Sequence, residues 1–348
     1  MPSFKLLPCC AALLLCASAH AQSSVTVYGL LDVFVEVGHG DGTKLSLEGG
    51  GLSGSRLGFK GSEDLGGGSK AVFVLESGLA PDTGTITQGG RFWGRQAFVG
   101  FDNSGWGRLT LGRQYAPQFL ALDATDPMAT GLGSGVSSGI VSTLYRIDNS
   151  VAYTAPDLGA FKFTAVLGLG EIASSATTRS RYGNVYNVDA RYTAGPLDVG
   201  VTWLHRTRTT VTETSLNQVL LSAAYDFGPV KLLGGVQKIR NLTQAAAAED
   251  DRTEAYGGVA MPLSSADTLT ASFSTGRTRH VADSRASQWS VGIDHVMSKR
   301  TDVYAVATGI QNGDATAYTP AGAVGGGNFP VSVGRNASAL QFGIRHRF

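Results

Sequence analysis

The sequence predicts an all-β protein, a 16-stranded antiparallel transmembrane β-barrel whose third loop folds into the lumen. Three observations predict it. Apolar and polar residues alternate in short runs along nearly the whole chain, and the connections between runs fall into two length classes. One stretch, Ala116–Leu144, then abandons the alternation while staying too apolar and too small-residued for a solvated tail. Composition agrees. Glycine is abundant at 47 of 348 residues, and charged residues, at 16%, fall well below the usual quarter. Mean hydropathy is near zero and no long apolar run follows the N-terminus, which excludes helical membrane spans. A barrel stays open, because its strands meet lipid on one face and water on the other.

Met1–Ala21 reads as a secretory signal: Lys5 gives the positive end, Cys9–Ala17 the apolar centre, and Ala19-His20-Ala21 the small-x-small cleavage site. The barrel domain is then 22–348. A lipoprotein anchor at Cys16 is disfavoured by Leu15, which is larger than the small residue such a site needs. All three cysteines (Cys9, Cys10, Cys16) leave with the signal, so the exported chain is held by hydrogen bonding and not by disulfides. Loss of Lys5 from 28 basic residues leaves charge balanced against 27 acidic ones, with no polybasic footprint for nucleic acid.

The first strand follows at once. In Ser24–Val37, Val25, Val27, Leu31, Val33, Val35 and Val37 share one face, and Thr26, Tyr28, Asp32 and Glu36 the other. Tight turn signals recur at Asp64–Gly68, Ser104–Gly107, Ala155–Gly159, Ala194–Pro196, Phe227–Pro229, Pro262–Asp267 and Ser298–Thr301. Longer connections alternate with them: Gly38–Leu52, Ala80–Gly90, Ala116–Leu144, Gly170–Arg181, Arg208–Ser215, Asn241–Asp251, Arg279–Arg285 and Gln311–Asn336. Seven short turns and eight long loops delimit sixteen strands, and the separation into two classes is that of an outer-membrane barrel. Strand faces at Phe161–Leu169, Leu197–Trp203, Leu269–Phe273 and Leu340–Phe348 alternate in the same way, with an inner face expected to be polar throughout and wet. Tyr153, Tyr192, Trp203, Tyr225, Phe227 and Trp289 are placed to form an aromatic girdle. Sixteen strands enclose a water channel, where eight would be filled by side chains. Ala116–Leu144 is long enough to narrow that channel and too short to seal it.

Six stretches carry a family resemblance: Gln22–Asp32 (QSSVTVYGLLD), Leu52–Leu65 (LSGSRLGFKGSEDL), Arg95–Phe101 (RQAFVGF), Leu109–Tyr115 (LTLGRQY), Tyr145–Tyr153 (YRIDNSVAY) and Gly343–Phe348 (GIRHRF). In content and order the chain resembles the Gram-negative general porins, of the kind common in beta-proteobacteria. The resemblance implies a homotrimer of 16-stranded barrels in the outer membrane, each with its third loop turned inward. It also implies contact with outer-membrane lipid and lipopolysaccharide, passage of small hydrophilic solutes and anions, and recognition of the terminal Phe348 by the barrel-assembly machinery.

Such porins set wall arginines against acids on the inward loop. By motif Arg56, Arg95 and Arg146 match the wall arginines, Arg113 sits close by, and Asp126 and Asp123 are the loop acids. Opposed charges across a low-dielectric neck create a transverse field that orients solutes and biases ion flow. Alternation puts Arg56 and Lys60 inward beside outward Leu57 and Phe59. It puts Arg146, Asp148 and Ser150 inward if Ile147, Val151 and Tyr153 face out. Arg95 shares parity with Ala97, Val99 and Phe101, so its inward placement rests on the resemblance. Enterobacterial porins carry a Pro-Glu-Phe-Gly run in this loop, whereas MATGLGSG here has no acid, which predicts a tilt toward anions.

No catalytic, metal or cofactor residues are indicated. Gly135-Val-Ser137-Ser-Gly139 fits a nucleophile elbow on paper but lacks the strand before and helix after that such an elbow needs. The five histidines after the signal are scattered. An outer-membrane barrel enzyme and a substrate-specific channel are the competing readings; a sugar channel would need an inward aromatic ladder, and none is evident.

Overall fold

The structure is a computed structural model and describes residues 24–175, 178–210, 213, 215–242, 251–323 and 329–348. The expected signal (1–21) lies outside the described residues, as do parts of the fourth, fifth, sixth and eighth long loops.

The alternating runs become strands because period two is the only pattern that lets each segment show lipid one face and the lumen the other. The wall comprises β1 (Ser24–His39), β2 (Thr43–Gly49 continued by Arg56–Gly66), β3 (Ser69–Ala80), β4 (Gln96–Asn103), β5 (Gly107–Tyr115), β6 (Arg146–Thr154), β7 (Phe161–Gly168) and β8 (Val185–Ala194). It continues through β9 (Leu197–Arg206), β10 (Ser215–Asp226), β11 (Lys231–Leu242), β12 (Arg252–Pro262), β13 (Asp267–Thr278), β14 (Ala286–Val296), β15 (Thr301–Asn312) and β16 (Ala337–Arg347). Each strand pairs antiparallel with its sequence neighbour, and β16 closes on β1, Leu30 opposite Arg347 and His39 opposite Ser338. Closure removes every unpaired edge, which hydrocarbon would penalise by several kcal/mol per orphaned group, about what each unsatisfied amide costs in lipid. A two-residue segment, Thr85–Ile86, pairs with Leu79–Ala80 within the second long loop and is not part of the wall.

All seven tight turns fall where the sequence places them. The first long loop does not. Gly38–Leu52 is mostly strand, because Thr43–Gly49 pairs back along β1 as the upper half of β2. The lower half, Arg56–Ser62, pairs with Ser24–Leu30 of the same strand. Between the halves, residues 50–55 bend into the lumen, held by Asp32. Its carboxylate accepts the N–H of Gly51 (3.1 Å) and Ser53 (2.8 Å) and the Tyr304 hydroxyl. Only glycine suits position 51, since an added Cβ would overlap the Tyr304 hydroxyl.

Side chains sort by face as expected on β1: Val25, Val27, Leu31 and Val35 are exposed outward, and Asp32, Phe34 and Glu36 are buried inward. The girdle aromatics Tyr153, Tyr192, Trp203, Tyr225, Phe227 and Trp289 all lie on the exposed outer surface. The inner face, however, is not polar throughout. Phe34, Leu204, Leu220, Tyr256, Tyr304, Val306 and Ile310 point inward and are buried. The reason is the third loop, which packs on them.

Candidate functional site: the loop-lined neck of the barrel

The stretch expected as an irregular loop begins with a helix, α1 (Pro117–Thr125). Pro117 opens it, where a missing N–H costs nothing. Ala116 has no capping side chain, and the wall substitutes: Asn187 Oδ1 accepts the Gln118 N–H at 3.0 Å. Gln118, Ala121, Leu122 and Thr125 recur on one side at helical spacing and are buried against the wall, while Leu120 and Asp123 are exposed to the lumen. Gln118 Nε2 donates to Gln237 (2.8 Å), and the hydroxyls of Thr125 and Tyr256 meet at 2.7 Å.

Beyond α1 the chain crosses the lumen. Leu132 enters the Phe34–Tyr304–Val306 cluster, and its N–H donates to the Gly51 carbonyl at 3.1 Å. Gly131 permits this approach, because a Cβ there would stand 2.4 Å from the Leu52 carbonyl oxygen. Gln288 Nε2 donates to the Gly133 carbonyl at 2.8 Å. Returning, Ile140 packs against Ala286, Ile310, Phe329, Ala337 and Ala339. The Ser142 N–H and hydroxyl then donate to Glu254 at 2.7 and 2.8 Å. So the loop is seated by inward side chains of several wall strands, and at its start Phe119 stacks on Tyr115 of β5.

From β2 to β6 the wall gathers its cations. Arg95 lies one residue before β4, so the parity of that strand does not govern it. Its side chain is 6% exposed, its Nε donates to Glu76 Oε1 at 2.7 Å, and its Nη2 donates to the Tyr115 hydroxyl at 2.6 Å. Glu76 is the residue that sequence reasoning missed. It is 2% exposed and also accepts the hydroxyls of Tyr28 (2.8 Å) and Tyr115 (3.0 Å). Alternation with outward Leu75 could have found it, since a glutamate among apolar residues of a membrane strand belongs on the lumen side.

Arg56 donates its Nε to the Gly54 carbonyl at 2.9 Å and lies within electrostatic range of Arg95, Tyr115, Glu76 and Asp123. Arg146 sits over the Tyr115 ring, 4.9 Å from its centroid, and its buried Nε has no hydrogen-bond partner. Its position corrects the parity argument. Ile147 is 2% exposed and packs with Ala116, Ala152 and Val166 on the inner side. A bulge between Gly112 and Gln114, with Asn149 at positive φ, shifts the phase of β5 and β6, so Gln114 faces Ile147 and Tyr115 faces Arg146. Among the described residues neither Arg56 nor Arg146 forms an ion pair with a carboxylate.

Arg113 is held differently. Its Nε donates to the Gly94 carbonyl at 2.8 Å, and its guanidinium pairs with Asp148, which also accepts Arg91 at 2.8 Å. The two loop acids part company. Asp123 stands on the exposed side of α1, accepts the Thr130 hydroxyl at 2.7 Å, and lies within electrostatic range of Arg56 and Arg95. Enclosure by the barrel wall pushes its carboxyl above the usual range, against the opposing pull of that hydroxyl and the two arginines. Asp126, expected at the neck, is instead 3% exposed. It accepts the N–H of Thr130 (2.9 Å) and Met128 (3.3 Å) and the Ser134 hydroxyl, and burial pushes its carboxyl up. It follows α1 directly and is consumed in folding the loop, so it presents no charge to the lumen. Ser137 of the elbow-like run is also buried, its hydroxyl donating to the Thr130 carbonyl.

Around Tyr115 the wall thus sets Arg56, Arg95 and Arg146 against Glu76 and Asp123, while Arg91 and Arg113 share Asp148. That excess of positive charge lies across a gap from a loop held firmly in place.

Comparison with known proteins agrees with this geometry. The sequence description of the Gram-negative porin matches residues 9–315. Outer membrane porin protein 32 of Delftia acidovorans is 31% identical, aligned over 95% of this chain and 96% of that protein. An outer membrane porin protein of Bordetella pertussis is 28% identical over the same shares. Among solved structures, an anion-selective porin from Comamonas acidovorans superposes with a TM-score of 0.82 at 26% identity, covering 94% of this chain and all of that one. With a closed sixteen-stranded wall, an inward loop and relatives matched nearly end to end, the chain belongs to the Gram-negative porin family, and its place is the outer membrane.

Proposed function

We propose that this porin is a diffusion channel for small hydrophilic solutes and ions that favours anions, with Arg56, Arg95, Arg146 and Asp123 forming its selective neck. One observation carries the preference: Arg56, Arg95 and Arg146 gather around Tyr115, where only Glu76 and Asp123 oppose them. Asp126, which would have reduced the excess, is turned into the loop. An uncompensated charge about 5 Å from a passing ion is worth about 1 kcal/mol at water-like dielectric and about 3 kcal/mol at an effective dielectric of 20. Even the lower figure enriches anions about fivefold and depletes cations by about the same factor. The resemblance to an anion-selective porin supports the same sign.

Reversal potentials across a potassium chloride gradient in planar bilayers test this. The expected sign is that of chloride permeation, and Arg56→Gln with Arg146→Gln should bring the ratio toward unity. A cation-selective wild type refutes the reading. Assembly as a homotrimer, insertion through recognition of Phe348 and removal of residues 1–21 belong to the same proposal. The apolar outer face, with Val99, Phe101, Leu111, Leu340 and Phe342 exposed, supports burial of part of this wall against lipid or sister barrels. The mass of the intact assembly and of its N-terminal peptide decides these points.

A further inference from the structure

Between the neck and the tight-turn end of the barrel, the inner wall carries a recess that the neck does not use. Strand register builds it. Thr26, Lys60, Val74, Phe98 and Gly112 form one row across β1–β5, and Ser24, Ser62, Val72, Gly100 and Thr110 form the next. Both rows share the parity of Glu76, whose bonds to Tyr28 and Arg95 fix it inward, while Val99 and Phe101 between them are exposed on the outside. The recess has a volume of about 260 Å³ and is lined by Lys60, Val72, Val74, Phe98 and Arg108.

Apolar residues on the inner face of other strands are covered by the third loop. Val72, Val74 and Phe98 belong to none of the apolar clusters it packs on, and each is only half-buried on a wall that faces water. Gly100 and Gly112 beside them carry no side chain, so the patch stays flat and open. A contiguous apolar patch left in contact with water marks a binding surface. The two ends of the recess differ in charge. Arg108 is paired with Asp102 at 2.5 Å. Lys60 is exposed, its Nζ 5.3 Å from the centroid of the Tyr28 ring, and among the described residues it forms no ion pair. It lies four residues along β2 from Arg56, about 13 Å at ~3.3 Å per residue. An anion that has passed Arg56 therefore meets its next free cation beside hydrocarbon.

We infer that this recess is a docking subsite for a monocarboxylate with an apolar body about the size of one ring, its carboxylate at Lys60 and its body on Val72, Val74 and Phe98. Drug-sized ligands fill about 300–1,000 Å³, so the recess suits a smaller molecule. Chloride gains nothing from the apolar floor, and an uncharged ring gains nothing from Lys60. A dicarboxylate would carry its second charge onto hydrocarbon. The inference rests on the lumen being an open water path, as proposed above, and not on which ion the neck prefers.

Single channels in planar bilayers, bathed in potassium chloride and titrated from both sides with benzoate, acetate or benzyl alcohol, test it. The readout is the current noise that a resident solute produces. Benzoate should bind the wild type about tenfold more tightly than acetate or benzyl alcohol does. Lys60→Gln should lower benzoate binding about fivefold, the effect of one cation close to a carboxylate in water. Phe98→Ser should lower it about tenfold and leave acetate binding as it was. Val72→Thr with Val74→Thr, which keeps side-chain shape, should act in the same direction and replaces Phe98→Ser if that variant does not fold. Conductance in potassium chloride alone verifies that each variant is folded. A wild type without that conductance takes down the channel and the subsite together. Normal conductance with benzoate bound no better than acetate, or with benzoate binding indifferent to both Lys60 and the apolar floor, overturns the subsite and leaves the channel standing.

Discussion

Arg95 and Glu76 form the most buried charge pair of the neck, 2.7 Å apart and almost without solvent. Breaking such a pair by removing one partner costs about 3–5 kcal/mol, so these two set the shape of the neck more than its selectivity. Arg56 and Arg146 have no carboxylate partner among the described residues, so in the proposed channel theirs is the charge a passing anion would meet. Asp123 supplies the adjustable term. Its carboxyl is pushed up by enclosure, so on acidification it takes a proton before ordinary carboxylates do. The neck then loses a negative charge and anion preference rises as pH falls through the upper acid range; it returns when Asp123 ionises again. Asp123→Asn should show the low-pH selectivity at all pH values in reversal-potential measurements, and a wild-type ratio flat with pH removes Asp123 from the neck. Arg56 was legible from alternation. Arg95 was not, because it precedes its strand, and Arg146 was reached by a parity argument that the bulge between Gly112 and Gln114 overturns.

The element that makes a neck of a wide barrel is the third loop. Its break from alternation made it visible in the sequence; its internal order was not, since α1 is short and its Gln118 N–H is capped by Asn187, sixty-nine residues away. Glu254 is its main polar anchor on the return side, fully buried and bound to Ser142, Gln237 and Arg252. Glu254→Ala leaves the Ser142 N–H without this acceptor, a loss of about 1–3 kcal/mol for an unsatisfied buried donor. Such a loop should fluctuate between seated and displaced positions. The expected result is noisier open-channel current and closure at lower voltage, with ion preference little changed because the wall arginines remain. Quiet wild-type currents in this variant show that the apolar seats of Leu132 and Ile140 suffice alone.

At the scale of the whole molecule the barrel supplies a low-dielectric wall around a wet lumen, which lets a small charge excess act on every ion that passes. That action is electrostatic and is screened over about 10 Å at 0.1 M salt and about 3 Å at 1 M. The anion-to-cation permeability ratio should therefore decline steadily as salt is raised at a fixed gradient. A ratio constant from about 0.05 M to about 1 M instead indicates selection by contact or size. Strand number and turn positions were readable end to end, and strand faces wherever no bulge shifts the phase, because hydrocarbon on one side and water on the other impose a two-residue period. Which charges remain available to solute was settled only by folding. Asp126 is captured by its own loop, Glu76 binds Arg95, and Ile147 turns inward beside Arg146, since each of these depends on a bulge, a strand end or a contact between segments far apart in the chain.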